Sequence, residues 1–273
     1  MLGACERASA PAPGADAPRR FVALAPALTE TLAHLGAAAQ QVGRSDWCAL
    51  PADVARLPAV GSSLTPAFER IAALRPTHIL LDASAGNQVD ALRALAPVEV
   101  LPWLTVDEVV ASSRRLGVLT GRLEAAEVLA HGLAKLRVEP RADAPRVLLV
   151  LGDGGVPTTE VWFIRRNSLH GAALQAAGAR NAVDEDVAGQ PVLSIEALLK
   201  LDPPTVLVLS TAPASAELEA RVQAAWGAMT PLRAVRDGRV TLVSGPGVLS
   251  TGPTILDTVE LLRAAVDRLG AAP

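Results

Sequence analysis

The sequence predicts an α/β protein of two lobes, each built on a parallel sheet. Three observations carry this. Short apolar runs alternate with stretches of helical period, the pattern of parallel strands joined by crossover helices. A unit of helix, proline and strand occurs twice, as AFERIAALRPTHILL at 67–81 and SIEALLKLDPPTVLV at 194–208. Between the copies, residues 106–137 keep helical period for about 32 residues, roughly 48 Å at the usual rise, too long for a crossover within one small sheet.

Composition narrows the class. The chain has 273 residues, half of them hydrophobic, enough for one large or two modest α/β domains. Its net charge of −3 gives no electrostatic footprint for nucleic acid. No apolar run reaches the ~18 residues of a membrane span. Lysine occurs only at Lys135 and Lys200 while Arg and Ala abound, which reads as genomic base composition. Cys5 and Cys48 form no metal-binding pattern, and a bridge from a tail residue would constrain little. His34, His78, His131 and His170 lie far apart on different elements.

Residues 1–19 read as a tail. Positions 6–19 are Ala, Pro, Ser, Gly and charge without apolar period, a semi-extended linker of roughly 45 Å at about 3.1 Å per residue. The LGAC before it resembles a bacterial lipobox, in which Cys5 would be the acylated first residue, although the usual basic and apolar segments upstream are missing.

The first lobe, 20–105, opens with strand RFVALAP and helix LTETLAHLG, closed by Gly36. VGRSDW is a strand end and loop. Thr65-Pro66 is expected to open the first glutamate-bearing helix as cap and first residue. HILLDAS is a buried strand, QVDALRAL a helix and VEVLP a strand. Residues 106–138 are expected to form one long helix crossing between the lobes, since no proline interrupts them. In the second lobe, 139–273, strands fall at 146–151, near 159–163, 205–210 and 239–244. Helices fall at 168–178, 194–201, 214–224 and from about 253 to 269.

Laid in register without a gap, Glu69 falls on Glu196, Ile71 on Leu198 and Pro76 on Pro203. On the first helix Phe68, Ile71 and Leu74 form the apolar stripe; on the second, Ile195, Leu198 and Leu201 do. Both acids point away from these stripes, into solvent. Ser194 caps the second helix, and a carboxylate in a first turn favours its own helix by a few tenths of a kcal/mol, which accounts for Glu196 but less well for Glu69, expected a turn further in. One such acid needs no further account; a matched pair, one per lobe, points to docking.

RFVALAPALTETLAHLG, VGRSDWCALP, LPAVGSSLTPAFERIAALRPTHILL, ALQAAGARNAV, LSIEALLKLDPPTVLVL and PLRAVRDGRVTLV, in this order, resemble the substrate-binding proteins of bacterial ABC importers for cobalamin, haem and ferric siderophores. The resemblance covers about residues 20–270. It implies two Rossmann-like lobes joined by one rigid helix, a ligand in the cleft between them, and no enzymatic activity. It further implies a monomer at the periplasmic or cell-surface side, attached to the membrane only through the lipid on Cys5. A surface Glu on each lobe, here Glu69 and Glu196, would meet arginines of a two-fold permease.

Loops at the strand C-termini should line the cleft. These place Pro26, Ala27, Asp46, Trp47, Ser62, Ser63, Asp82, Ser84, Trp103, Phe163, Arg165, Gln190, Ser244 and Gly245 there. Trp47 matches a position that is aromatic in the family's cobalamin binder, and an aromatic face suits a flat ligand. Trp226 matches a structural tryptophan. The absence of Tyr removes a haem ligand used by several relatives, and Arg165 and Arg166 are too few for a trianionic siderophore. These departures lean the reading to a corrinoid such as cobalamin, with a ferric-siderophore or haem binder of the same importer family as the alternative, and with no cofactor or metal of the protein's own. An enzyme is the rival class, but LGDGGVP lacks phosphate-loop spacing and no GxSxG elbow exists. A metal-cofactor scaffold would need clustered cysteines.

Overall fold

A computed structural model describes residues 18–83, 86, 88–152, 159–187 and 191–270. In the first lobe, β1 (Phe21–Ala23), α1 (Pro26–His34), β2 (Gln41–Arg44), α2 (Phe68–Ala73), β3 (His78–Leu81), α3 (Gln88–Arg93) and β4 (Val98–Val100) follow in turn. The strands form a parallel sheet in the order β2-β1-β3-β4. Then come α4 (Val106–Thr120) and α5 (Leu123–Ala134).

The second lobe contains β5 (Arg146–Leu151), β6 (Glu160–Trp162), α6 (Leu169–Ala176), β7 (Arg180–Asn181), β8 (Val192–Ser194), α7 (Ile195–Leu201) and β9 (Val206–Ser210). It ends with α8 (Ala216–Gly227), α9 (Arg233–Arg236), β10 (Val240–Ser244) and α10 (Ile255–Gly270). Its main sheet reads β7-β5-β9-β10, and β6 and β8 form a small antiparallel ribbon. With β5, β7, β9 and β10 set against β1, β2, β3 and β4, the two parallel sheets have one topology.

The register of the repeat holds in detail. Ile71 is the buried residue of α2 and Leu198 that of α7, both fully enclosed. Beyond each helix one residue enters the left-handed region just before the matched proline: Arg75 at φ 45° and Asp202 at φ 42°. They are the only such non-glycine residues among those described. A proline disfavours right-handed helix in its predecessor, so each chain turns out of its helix there and runs into β3 or β9.

The single connecting helix is not what forms. α4 ends at Gly121, which is left-handed at φ 70° and donates its N–H to the Gly117 and Val118 carbonyls. α5 then folds back along α4. Arg114 grips Glu127 through Nε at 2.9 Å, and Arg137 Nε reaches Asp107 at 2.6 Å. A Cβ at Gly117 would overlap the Ala126 methyl, so the helices touch where glycine permits it. A glycine after the last periodic residue stops a helix as firmly as a proline when its carbonyls are capped. Two further expectations shift. Thr65 is no helix cap; its hydroxyl meets Ser62 Oγ at 3.0 Å, and α2 begins at Phe68. Glu69 is therefore in a first turn, as Glu196 is.

Each lobe has a private core on one sheet face, around Val22, Ile79 and Leu92 or around Leu148, Val206 and Trp226. On the other faces a common core runs unbroken from Phe21 and Leu28, through Val109, Leu116, Leu129 and Leu133 of the hairpin, to Leu149, Leu174 and Leu262. Strand alternation divides the two: Val22 faces the private core while Phe21 and Ala23 face the common one. No described helix is long and apolar enough to cross a membrane.

Candidate ligand cleft

In a 2-1-3-4 sheet the connections diverge between the first and third strands, and a crevice opens at their carboxyl ends. Both lobes place that edge at one cavity of about 320 Å³. The first lobe contributes Ala25, Pro26 and Ala27 after β1, Asp82 after β3, and Trp103 after β4. Pro26 starts α1, where its missing N–H costs nothing and its φ is preset. The second lobe contributes Thr211 after β9, and Pro246, Leu249, Ser250 and Thr251 from the long segment after β10. A shallower lobe of this space, about 180 Å³, continues past Trp47 and Asp82 to Ser62, Ser63 and Leu64.

Trp47 lies on the loop after β2 and is 77 % exposed. Its neighbours hold the loop while leaving the ring free. Asp46 exchanges two bonds with Gly61, N–H to carbonyl and N–H to carboxylate, both at 2.9 Å. Cys48 is a buried free thiol against Thr29 Oγ1 at 3.1 Å, and burial pushes its pKa up. Trp103 is half-buried and its Nε1–H donates to the Thr251 carbonyl at 2.8 Å, so it joins the lobes as well as lining the space.

The cavity wall carries two carboxylates, Asp82 and Glu30, and no Arg, Lys or His among its described residues. Glu30 is 8 % exposed and accepts from Ser250 Oγ at 2.5 Å, Thr254 N at 2.7 Å and Thr254 Oγ1 at 2.6 Å.

Several expected cleft residues stand elsewhere. Phe163 is 2 % exposed in the private core of the second lobe, because β6 turns its side chain inward against β5. Arg165 Nη1 donates to the Val187 carbonyl at 3.2 Å, outside the cavity. Asp46 serves the Gly61 turn, and Ser63 Oγ donates to the Leu24 carbonyl at 3.2 Å at the edge of the shallow extension. Ser244 and Gly245 precede the wall, which begins at Pro246. Ser84, Gln190 and Cys5 lie outside the described residues. Trp226 is 2 % exposed and structural.

Glu69 and Glu196 are both exposed, in the first turns of α2 and α7. Neither forms an ion pair among the described residues. A helix that runs into a parallel strand begins at the sheet's carboxyl edge, so each acid stands on the cleft side of its lobe.

Sequence reading missed Glu30, Leu50, Thr211 and the 249–251 segment. Its rule took the first residues beyond each strand, whereas the segment after β10 bends back to the first lobe only near Ser250. Glu30 stands out only once burial is known. All of Ala27 to Leu32 is buried, as for a helix clasped on every side, yet one of these residues is an acid.

The chain is 27 % identical over 199 residues to the vitamin B12-binding protein of Pectobacterium carotovorum, covering 70 % of this chain and 71 % of that one. A periplasmic haem-binding protein from Pseudomonas aeruginosa superposes with a TM-score of 0.74 at 27 % identity, over 94 % of this chain and 95 % of its own. The periplasmic vitamin B12-binding protein BtuF of Vibrio cholerae shares the fold with a TM-score of 0.74 at 20 % identity, over 93 % and 98 %. The family model for periplasmic binding proteins matches residues 21–244, and the chain belongs to that family.

Proposed function

We propose that this protein is the extracytoplasmic solute-binding component of an ABC importer and that its ligand is a corrinoid. The observation that carries the choice of ligand is the cavity wall: two tryptophans, two carboxylates and no cationic side chain among the described residues. A flat macrocycle edged with amides suits such a wall. Its plane can lie on the exposed face of Trp47, and its amide N–H groups can donate toward Asp82. Haem would bring two propionates toward Asp82 and Glu30, and the described wall offers its iron neither His nor Tyr. A ferric siderophore of high negative charge meets the same repulsion.

Delivery is read from Glu69 and Glu196. Two equivalent acids, one per lobe and without an ion pair among the described residues, match a two-fold permease carrying arginines. Cys5 is read as the lipid attachment, with the following residues as tether. The chain performs no chemistry on its ligand.

Titration of the purified protein with cyanocobalamin, haemin and a ferric siderophore, followed through tryptophan quenching, tests the ligand. Saturable quenching by cyanocobalamin, lost in Trp47→Ala, is expected. Saturation by haemin or the siderophore alone overturns the corrinoid reading and leaves the transport reading to uptake assays.

A further inference from the structure

We propose that Glu30 is a positioning residue: it latches the second-lobe wall of the cavity to the first lobe and so fixes the width of the cleft before any ligand arrives. The inference rests on reading that cavity as the ligand site.

Glu30 belongs to α1 of the first lobe, yet its three hydrogen-bond donors all come from the second, from Ser250 and Thr254. No Arg, Lys or His forms an ion pair with it among the described residues. Its charge is therefore held by the other lobe alone, aided by the N-terminus of α10 that Thr254 leads into. Charge-assisted bonds of this kind are short and about twice as strong as neutral ones. Separating the lobes here would strip the carboxylate of all three of these bonds at once.

The held segment is shaped to its acid. A Cβ on Gly252 would come within 2.7 Å of the Glu30 carboxyl carbon, so the chain wraps the carboxylate at a distance only glycine allows. The Ser250 hydroxyl that donates to Glu30 also accepts from Gly252 N at 3.0 Å, which closes the turn. Residues 249–251 of this same segment form part of the second-lobe wall.

Behind the latch lies a second cavity of about 420 Å³, between α1 and the start of α10, beside His34 and Asp257. Glu30 and Leu50 line both spaces. Glu30 is thus also the partition that gives the ligand cavity a floor.

The test uses the full chain and two readouts. In the ligand-free protein, hydrogen exchange of residues 250–256 is expected to rise about tenfold in Glu30→Ala, with residues 60–66 unchanged. Glu30→Gln, which keeps an acceptor for Thr254 N, should restore most of the protection. Cyanocobalamin should dissociate about tenfold faster from the Ala variant with nearly unchanged association, whereas a folding defect would lower the active fraction and leave the rates alone. Unchanged exchange at 250–256 overturns the latch, and raised exchange with unaltered dissociation overturns its role in the cavity. Should Glu30→Ala fail to fold, the Ser250→Ala, Thr254→Val double variant must show the same pattern, and retained protection in it overturns the proposal. A wild-type protein that takes no cyanocobalamin sinks the corrinoid reading, while exchange still decides the latch.

Discussion

The indole of Trp103, after the last strand of the first lobe, donates its N–H to the carbonyl of Thr251 in the second lobe at 2.8 Å. The ring therefore has two duties, one face toward the cavity and one edge bound across it, while Trp47 at the same cavity is 77 % exposed and has only the first. Trp103→Phe keeps the ring and deletes the bond, leaving a carbonyl unpaired at a cost of about 1–3 kcal/mol. Thermal denaturation should show Tm lower by several degrees, at about 2–4 °C per kcal/mol for a chain of this size. Trp47→Ala should leave Tm within about 1 °C and weaken the ligand at least ~10-fold, as a lost aromatic hot spot does.

The repeated helices separate folding from docking. Ile71→Ala and Leu198→Ala each open a cavity in a private core and should cost about 2–5 kcal/mol in denaturant unfolding. Glu69→Ala with Glu196→Ala removes only exposed first-turn charges, about 0.3–1 kcal/mol each at most. That double variant should bind ligand as the wild type does and fail in uptake. Wild-type uptake should itself weaken with salt, as rim charges set association. Normal uptake by the double variant rejects the docking role.

The left-handed pair makes different predictions for one substitution. Arg75 is exposed, and glycine at its φ of 45° relieves roughly 1 kcal/mol of backbone strain, partly offset by a freer unfolded chain. Arg75→Gly should be neutral to slightly stabilising. Asp202 has the same backbone, but its Oδ1 accepts from Arg233 N at 2.7 Å at the start of α9. Asp202→Gly gains the same relief but loses that bond, and should come out about 1 kcal/mol less stable than Arg75→Gly. Equal shifts in the two would refute the distinction.

His170 gives a pH dependence. It is buried on α6 with Nε2 at 3.0 Å from the Val248 carbonyl, and burial, opposed by that bond, holds its pKa below the ordinary histidine value. The unfolded chain takes up this proton first as pH falls, so the unfolded state gains. Stability from this group is full above about pH 6.5 and is lost as pH drops through the lowered folded value. His78 acts in the same direction, again chiefly through burial. Tm measured from pH 7.5 to 5 should fall, and His170→Gln should flatten the curve. An unaltered curve would remove His170 as a source.

What the sequence disclosed was what is local and periodic. Alternating strands, the paired glutamates and the Ile71–Leu198 register follow from spacing along one element, and all three stand in the structure. The hairpin was misread because the stretch around Gly121 keeps helical period on both sides, and period cannot tell a straight helix from one folded on itself. Phe163 was misassigned because one residue of slip at a strand end exchanges core for cleft. Glu30 and Thr254 are coupled through tertiary geometry alone, and no local pattern ties an acid on one helix to the threonine that leads into another.

The common core has a practical corollary. Because one body of side chains fills the inner faces of both lobes and the hairpin, neither half owns enough dry interior to survive excision. Calorimetry should trace one endotherm rather than two, and a gene cut at residue 138 should yield two insoluble fragments. A sensor built on this scaffold should report ligand through local changes near the cavity rim, since a shared interior leaves little scope for the wide jaw-like swing that donor–acceptor pairs on opposite lobes would need.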